Sequence, residues 1–240
     1  MNNHPYLQHG LTILRTRLNS RDRRTHGQPA SIAQPFLTLS RETCAGATTI
    51  GRQLVPLLDD RLGTGGGSWM FLDKDLIQKA LSLHRLPESF AQFLPEDRLP
   101  EIKGLIGEMV GLHPPLWELE HRVAEAIHKF AQLGRVIIAG RAAHLITRDL
   151  PGGFHVRLIA PIDTRIHRAQ EIHQLSRKMA ENLIHESDTA RERHVRTNFD
   201  QDINDPHAYD LVINTGRIPG AAAAHLILEA MHGRATVPAP

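Results

Sequence analysis

Short apolar runs recur along the chain and alternate with stretches of helical periodicity. The apolar runs lie at 36–40, 69–72, 135–139, 154–160 and 209–213. The stretch after the first run has apolar residues at helical spacing, namely Ile50, Leu54, Leu57 and Leu58. This spacing predicts a helix that ends near Leu62. Buried strands that alternate with helices are typical of a parallel sheet covered on both faces. The pattern therefore predicts a doubly wound α/β domain with five parallel strands.

Length and composition fit one globular domain with short additions. The chain has 240 residues, of which 41% are hydrophobic and 22% are charged, as in ordinary globular proteins. We predict a domain over residues 34–232, after a basic extension or linker at 1–33 and before a tail at 233–240. Residues 88–133 are helical in pattern but interrupted by prolines. This segment is predicted to be a helical insert, which could also form the interface of a homodimer.

The charges are concentrated in the extension. The whole chain has 28 basic and 26 acidic residues. Residues 1–33 hold five arginines and one aspartate, so the remainder has 23 basic and 25 acidic residues and a net charge of −2. This balance argues against nucleic acid as a partner of the domain. The extension, with a short amphipathic stretch at 11–18, could dock on the domain or a second copy, bind an acidic partner, or act as a transit peptide.

Cysteine content and hydropathy bear on where the protein works. Cys44 is the single cysteine, so no disulfide can form within the chain, which fits a reducing compartment. No apolar run approaches the roughly 18 to 20 residues that span a bilayer. We therefore expect a cytoplasmic protein that does not insert into a membrane.

A loop of small residues from Arg41 to Thr49 joins the first predicted strand to the first predicted helix. Such a turn directs main-chain N–H groups and the positive end of the helix dipole towards an anion. Against the phosphate-binding pattern GxxxxGK[ST], Glu42 and Ala47 replace the two glycines and Thr48 replaces the lysine. Only Thr49 agrees, as the hydroxyl that would bind Mg²⁺, although it could instead cap the helix. From spacing alone, an ordinary strand-to-helix turn is an equally good interpretation.

Six segments, taken in order, carry a family resemblance. They are SRETCAGATTIG at 40–51, FLDKDLI at 71–77, VIIAGRAA at 136–143, HVRLIAP at 155–161, DTAR at 188–191 and DPHAYDLVINT at 205–215. In this order they resemble the cytidylate kinase-like family, part of the nucleoside monophosphate kinase group of P-loop kinases. The resemblance covers about residues 35–232.

The resemblance implies a fold, a reaction and its cofactors. The fold is the α/β P-loop nucleoside-kinase fold, with a five-stranded parallel sheet, helices on both faces and a helical insert or lid. The reaction is transfer of the γ-phosphate of ATP, with Mg²⁺, to a small-molecule nucleotide substrate, CMP or dCMP first.

The resemblance also implies roles for individual residues. The phosphates of ATP would lie on Cys44, Ala45, Gly46, Ala47, Thr48 and Thr49. Mg²⁺ would be bound by Thr49. The acceptor would be bound by Asp73, Arg141, Asp188 and Asp210, although Asp73 could instead cap a helix and Asp210 could make a structural hydrogen bond to a loop. The transferring phosphate would be stabilised by Arg41, Arg165, Arg168 and Arg191, although each arginine alone could be a surface charge. Cys44 precedes a helix N-terminus, where a thiol pKa can be depressed.

Two departures from the family pattern keep other functions open. A cation about 4 Å from a phosphate charge contributes roughly 4 kcal/mol at an effective dielectric of 20. Replacing the lysine by Thr48 would therefore slow the reaction by on the order of a thousandfold. Arg41 or a lid arginine could supply the missing charge. Ala142 stands where true cytidylate kinases have an aspartate after GR. The alternatives are a weak or inactive nucleotide-binding regulator and a kinase of a non-nucleotide metabolite.

Overall fold

Five parallel strands form one sheet in the order β2-β3-β1-β4-β5. A computed structural model of the chain describes residues 34–63, 68–73, 116–140 and 142–236. The strands are β1 Phe36–Arg41, β2 Met70–Leu72, β3 Val136–Ala139, β4 Gly153–Ile159 and β5 Leu211–Asn214. Each coincides with a predicted apolar run to within a few residues, which confirms the predicted fold class.

Helices connect the strands and cover both faces of the sheet. Their bounds are α1 Ala47–Leu62, α2 Leu116–Leu133, α3 Ala143–Ile146, α4 Ile162–His173, α5 Arg177–Phe199 and α6 Gly220–Thr236, with a 3₁₀ turn at Pro206–Ala208. The described part of the predicted insert is α2. The extension at 1–33, residues 74–115, Arg141 and residues 237–240 lie outside the described residues.

Alternation along the strands divides the core into two layers. On one face, Leu37 and Leu39 of β1 pack with Ile50, Leu54 and Leu58 of α1. α6 completes this layer. On the other face, β2 and β3 pack against α2. The apolar residues predicted at helical spacing in α1 therefore face the sheet, since three of the four are fully buried.

One close contact sets the distance between α1 and the sheet. A Cβ built on Gly51 would lie 2.2 Å from the ring of Phe71 in β2. Only glycine permits this approach, which brings the helix, and with it the loop before it, against the sheet.

Because all the strands are parallel, their carboxyl ends share one edge of the sheet. The 41–49 loop leaves β1 at this edge. Asp73 follows β2, Gly140 follows β3, Ala160 follows β4 and Thr215 follows β5. The edge is therefore where the segments with candidate chemistry meet.

Candidate functional site

The loop between β1 and α1 has the backbone of an anion nest. Cys44 and Gly46 adopt left-handed conformations, with φ of 60° and 92°. Ala45 N–H donates to the Glu42 carbonyl at 3.1 Å, which closes a turn before the helix. α1 begins at Ala47 with Gly46 as its N-cap, and no side chain caps its first amides. Those amides are thus available to an anion.

Thr48 and Thr49 occupy the first turn of α1, and both are exposed. The alternative that Thr49 is the helix cap is wrong, because the N-cap is Gly46. Within the described ranges, no cluster of three or more histidine, cysteine or acidic residues could hold a metal by itself.

Asp188 of α5 holds the loop through Thr43. Its Oδ1 accepts hydrogen bonds from the Thr43 amide at 2.8 Å and the Thr43 hydroxyl at 2.6 Å. Arg191 donates to the same carboxylate oxygen at 2.9 Å and to the Thr43 hydroxyl oxygen at 2.5 Å. Arg165 donates to Oδ2. Burial by itself would raise the pKa of Asp188, but the hydrogen bonds from Thr43 and Arg165 outweigh it, so the pKa lies below its usual value.

Glu42 and Arg165 connect the loop to the end of β4. Glu42 Oε2 accepts from the Ala160 amide at 2.8 Å and lies 3.4 Å from Arg165 Nε. The same Nε donates to the Ala160 carbonyl at 3.0 Å. The Arg165 side chain is 10% exposed. Glu42, which stands at the first glycine of the phosphate-loop pattern, thus has a structural role.

Arg168 and Thr215 hold the middle of the loop. Arg168 donates to the Thr215 carbonyl at 2.7 Å, to the Thr215 hydroxyl oxygen at 3.0 Å and to the Cys44 carbonyl at 3.4 Å. The Thr215 hydroxyl donates to the Ala45 carbonyl at 2.8 Å. These contacts engage the carbonyls of Cys44 and Ala45 and do not use the first amides of α1.

Comparison with protein families and solved structures identifies relatives of the chain. The model of the cytidylate kinase-like family matches residues 36–217. The chain belongs to the cytidylate kinase-like family. A search of curated proteins found no match.

Solved structures show the same fold as this cytidylate kinase-like chain. The crystal structure of an uncharacterized protein from Eubacterium ventriosum has a TM-score of 0.61 and 18% identity, with 84% of this chain and 100% of that chain covered. Shikimate kinase from Acinetobacter baumannii, in complex with shikimate, has a TM-score of 0.50 and 16% identity, with 85% of this chain and 96% of that chain covered.

The arginines of this cytidylate kinase-like chain have a different arrangement from the one expected. We predicted that Arg165, Arg168 and Arg191 would converge on the transferring phosphate. In the structure all three hold the loop, and Arg165 is enclosed by two carboxylates and a carbonyl. Thr43 and Thr215, which sequence reasoning missed, are the hydroxyls through which two of them act. Threonines that follow strands are common, so the sequence alone does not show that Thr43 pairs with Arg191 or Thr215 with Arg168.

The thiol of Cys44 does not have the low pKa that its position before a helix suggested. Its side chain packs beside the apolar cluster formed by α4 and α5. Burial raises the pKa of Cys44, and the nearby charges of Arg191 and Arg165 only partly oppose this effect. The position of Cys44 before the helix therefore does not depress its thiol pKa, which fits the alternative of a small loop residue.

Two of the predicted acceptor residues lie in different surroundings. Asp73 follows β2 at the carboxyl edge, and its carboxylate lies 3.8 Å from Arg52 of α1. Asp210 lies before β5, at the opposite end of that strand. It accepts from the His155 amide at 2.7 Å and pairs with Arg234 of α6. The geometry therefore contradicts a nucleotide role for Asp210. Of the other two acceptor candidates, Asp188 contacts Thr43 of the loop and Arg141 lies outside the described residues.

None of the described helices is long and apolar enough to cross a membrane.

Proposed function

We propose that this chain transfers the γ-phosphoryl group of ATP to a small acceptor, a nucleoside monophosphate first and CMP or dCMP in particular. The observation that carries the proposal is the uncapped N-terminus of α1 behind the left-handed residues Cys44 and Gly46. In a family of kinases, such a group of open amides is suited to the phosphates of a nucleotide.

Under this proposal the loop residues from Cys44 to Thr49 hold the ATP phosphates through their main-chain amides. The Thr49 hydroxyl would hold Mg²⁺, which in phosphoryl transfer neutralises charge on the β and γ phosphates. The exposed position of Thr49 fits this part, since Mg²⁺ in kinases takes few protein ligands and several from phosphate and water. Asp73 would orient the acceptor from the end of β2. The arginines of α4 and α5 would hold the loop in shape.

A coupled assay of ADP production tests the proposal. The protein at high concentration, with ATP and Mg²⁺, would be offered CMP, dCMP and the other nucleoside monophosphates in turn. We expect turnover with at least one pyrimidine monophosphate. No turnover with any of them would remove the nucleotide-acceptor version. A panel of hydroxylated metabolites would then test a kinase with a non-nucleotide acceptor.

A second candidate is a nucleotide-binding regulator with little catalysis. It is favoured by Thr48 in the lysine position and by the engagement of Arg165, Arg168 and Arg191 in the contacts described above. It predicts that ATP raises the melting temperature while no product forms. Absence of any shift with ATP would contradict both candidates. A cytoplasmic location is part of either proposal.

A further inference from the structure

The last helix, α6, has few charges anywhere around its circumference. Its sequence is GAAAAHLILEAMHGRAT, in which Glu229 and Arg234 are the charged residues apart from the histidines. Its inner face packs in the core through Ala223, Ala224, Ile227, Leu228 and Met231. A helix with so few charges is typical of one that is covered on more than one side. The outer side of α6 is therefore expected to be covered as well.

Three apolar residues lie one turn apart on that outer side, namely Ala222, Leu226 and Ala230, which we call the α6 flank. Leu226 is 48% exposed, Ala222 is exposed and Ala230 is half-buried. β5, on which α6 packs, is the edge strand of the sheet. The carboxylate nearest in sequence is Glu229, which is 63% exposed and lies 3.8 Å from Arg61 of α1. The flank is thus an apolar surface beside one exposed carboxylate.

The chain enters the domain at a fixed point beside the end of α6. The Phe36 amide donates to the Gly152 carbonyl at 3.0 Å, and a Cβ built on Gly152 would lie 3.0 Å from the Gln34 carbonyl oxygen. Arg234, in the last turn of α6, donates to the carbonyl of the next residue, Gly153, at 2.9 Å. The extension at 1–33 therefore joins the domain beside the last turn of α6.

The extension has an apolar side of its own and is long enough to reach the α6 flank. Leu11, Leu14 and Leu18 are spaced as on one side of a helix. Residues 19–33 separate this segment from the domain, and a chain of that length spans up to about 50 Å. α6, with 17 residues, is about 25 Å long. Every point of the flank is therefore within reach of the segment.

Charge and chain connectivity favour the extension over a separate partner. Residues 1–33 have a net charge of +4 and the remainder has −2. Arg15 and Arg17 lie within the leucine segment, and Glu229 is one turn from Leu226. Because the segment belongs to the same chain, docking does not lose the translational freedom that a separate partner would lose.

We propose that residues 11–18 of the extension dock on the α6 flank, with the leucines of the segment against Leu226 and its arginines near Glu229. The occupant is the chain's own extension because it joins the domain beside α6, reaches the flank and has a matching apolar side. The inference goes beyond the proposed function and does not depend on it.

Brief digestion of the full chain with trypsin tests this docking, because Arg15 and Arg17 lie within the segment. We expect Leu226→Asp to raise the rate of cleavage at these arginines at least about tenfold, since a carboxylate in the flank would release the segment. Ile172→Asp, which alters an apolar residue of α4 that is 65% exposed, should leave the rate unchanged. Cleavage of the unsubstituted chain as fast as that of Leu226→Asp would overturn the inference.

A substitution within the extension removes the same contact without altering α6. Leu14→Asp should speed cleavage as much as Leu226→Asp. The double variant should be cleaved no faster than either single variant, because both substitutions break one contact. Thr12→Asp, on the side of the segment away from the leucines, should leave the rate unchanged. Equal rates for Leu14→Asp and Thr12→Asp, or independent effects in the double variant, would contradict the inference.

A photo-cross-linker at position 226 identifies the occupant of the flank. With p-benzoylphenylalanine at this position of the full chain, we expect cross-links to residues 11–18 of the same chain, in a product that has the mass of a monomer at every protein concentration. Cross-links between two chains would assign the flank to a second copy. That result would overturn the inference, as would the absence of cross-links to residues 11–18.

Discussion

Asp188 and Thr43 are 145 positions apart in the chain, yet the Asp188 carboxylate accepts hydrogen bonds from both the amide and the hydroxyl of Thr43. This contact joins α5 to the start of the phosphate loop. Because Arg165 and Arg191 contact the same carboxylate, one half-buried carboxylate binds two cations and a loop amide. The loop conformation therefore depends on a helix that is distant in sequence.

Removing this carboxylate should weaken both the fold and the nucleotide site. We expect Asp188→Ala to lower the free energy of unfolding by about 3 kcal/mol, since Arg191 would lose this carboxylate and Arg165 would keep only Glu42 as a counter-charge. ATP affinity should fall as well. Urea unfolding and ATP titration measure the two effects. Asp163→Ala, which breaks an exposed pair with Arg177, should cost less than about 1 kcal/mol. Equal effects of the two variants would contradict the special role of Asp188.

Gly46 should be required for the anion nest. In Gly46→Ala, a φ of 92° is strained by about 1–2 kcal/mol, and relaxation of the backbone would turn the loop amides away from the anion. Gly63, at the other end of α1, also has a positive φ and has space for a Cβ. Gly63→Ala should therefore lower the melting temperature without changing ATP affinity. If Gly46→Ala binds ATP normally, the nest does not hold the phosphates.

The Thr215 hydroxyl should support the loop from β5. Thr215→Val keeps the shape but removes the donor to the Ala45 carbonyl and the acceptor for Arg168, at a cost of about 1–3 kcal/mol in stability. Thr147 is the matched control, because its buried hydroxyl donates to the Ala143 carbonyl at 2.7 Å in α3. Both valine variants should lose stability, and only Thr215→Val should lose ATP affinity. Similar ATP affinities in the two variants would count against this role.

Restoring the lysine tests whether the missing charge limits the reaction. Thr48 is exposed on the first turn of α1, so Thr48→Lys should fold normally. We expect kcat to rise at least about tenfold, because a cation near a phosphate is worth several kcal/mol. Gln53→Lys adds the same charge further along the helix and should have little effect. An unchanged kcat in Thr48→Lys would mean that another group already supplies the charge.

His144 should make the protein less stable in mild acid. It is 3% exposed and stacks on Tyr209, and its Nε2 has no hydrogen-bond partner among the described residues. Burial, with smaller effects of His155 and Arg157, lowers the pKa of His144 to about 3. The unfolded chain binds a proton near pH 6.5 while the folded chain does not. The stabilising effect of neutral His144 is therefore complete above about pH 6.5 and is lost as the pH falls towards 3.

The size of this effect can be measured with one variant and one control. Between pH 7 and pH 5, His144 should account for about 2 kcal/mol of lost stability. His144→Phe should reduce the pH dependence of urea unfolding by that amount. His167→Phe alters a histidine that is 73% exposed and should leave the dependence unchanged. Identical pH profiles for His144→Phe and the unsubstituted chain would refute the assignment.

Much of the fold could be predicted because its signals are local. The spacing of apolar residues predicts which side chains are buried, and it depends only on residues close in sequence. This spacing identified the five strands and the buried face of α1, which includes Ile50, Leu54 and Leu58. The resemblance of SRETCAGATTIG to the family pattern likewise identified the loop. Periodicity does not predict the order of the strands, which is known from the structure.

The roles of the charged side chains followed from tertiary structure alone. Arg165 and Arg168 were expected at the transferring phosphate and Asp210 at the nucleotide. Packing of α4 and α5 places these arginines against main-chain carbonyls and Asp188. Asp210 precedes its strand, so a parallel sheet puts it at the edge away from the loop. The sequence determined which segments are strands, helices and loop, because burial periodicity is a property of neighbours. Several contacts of the site join groups that are distant in sequence, such as Glu42 with Arg165 and Thr43 with Asp188, and only the folded chain brings them together.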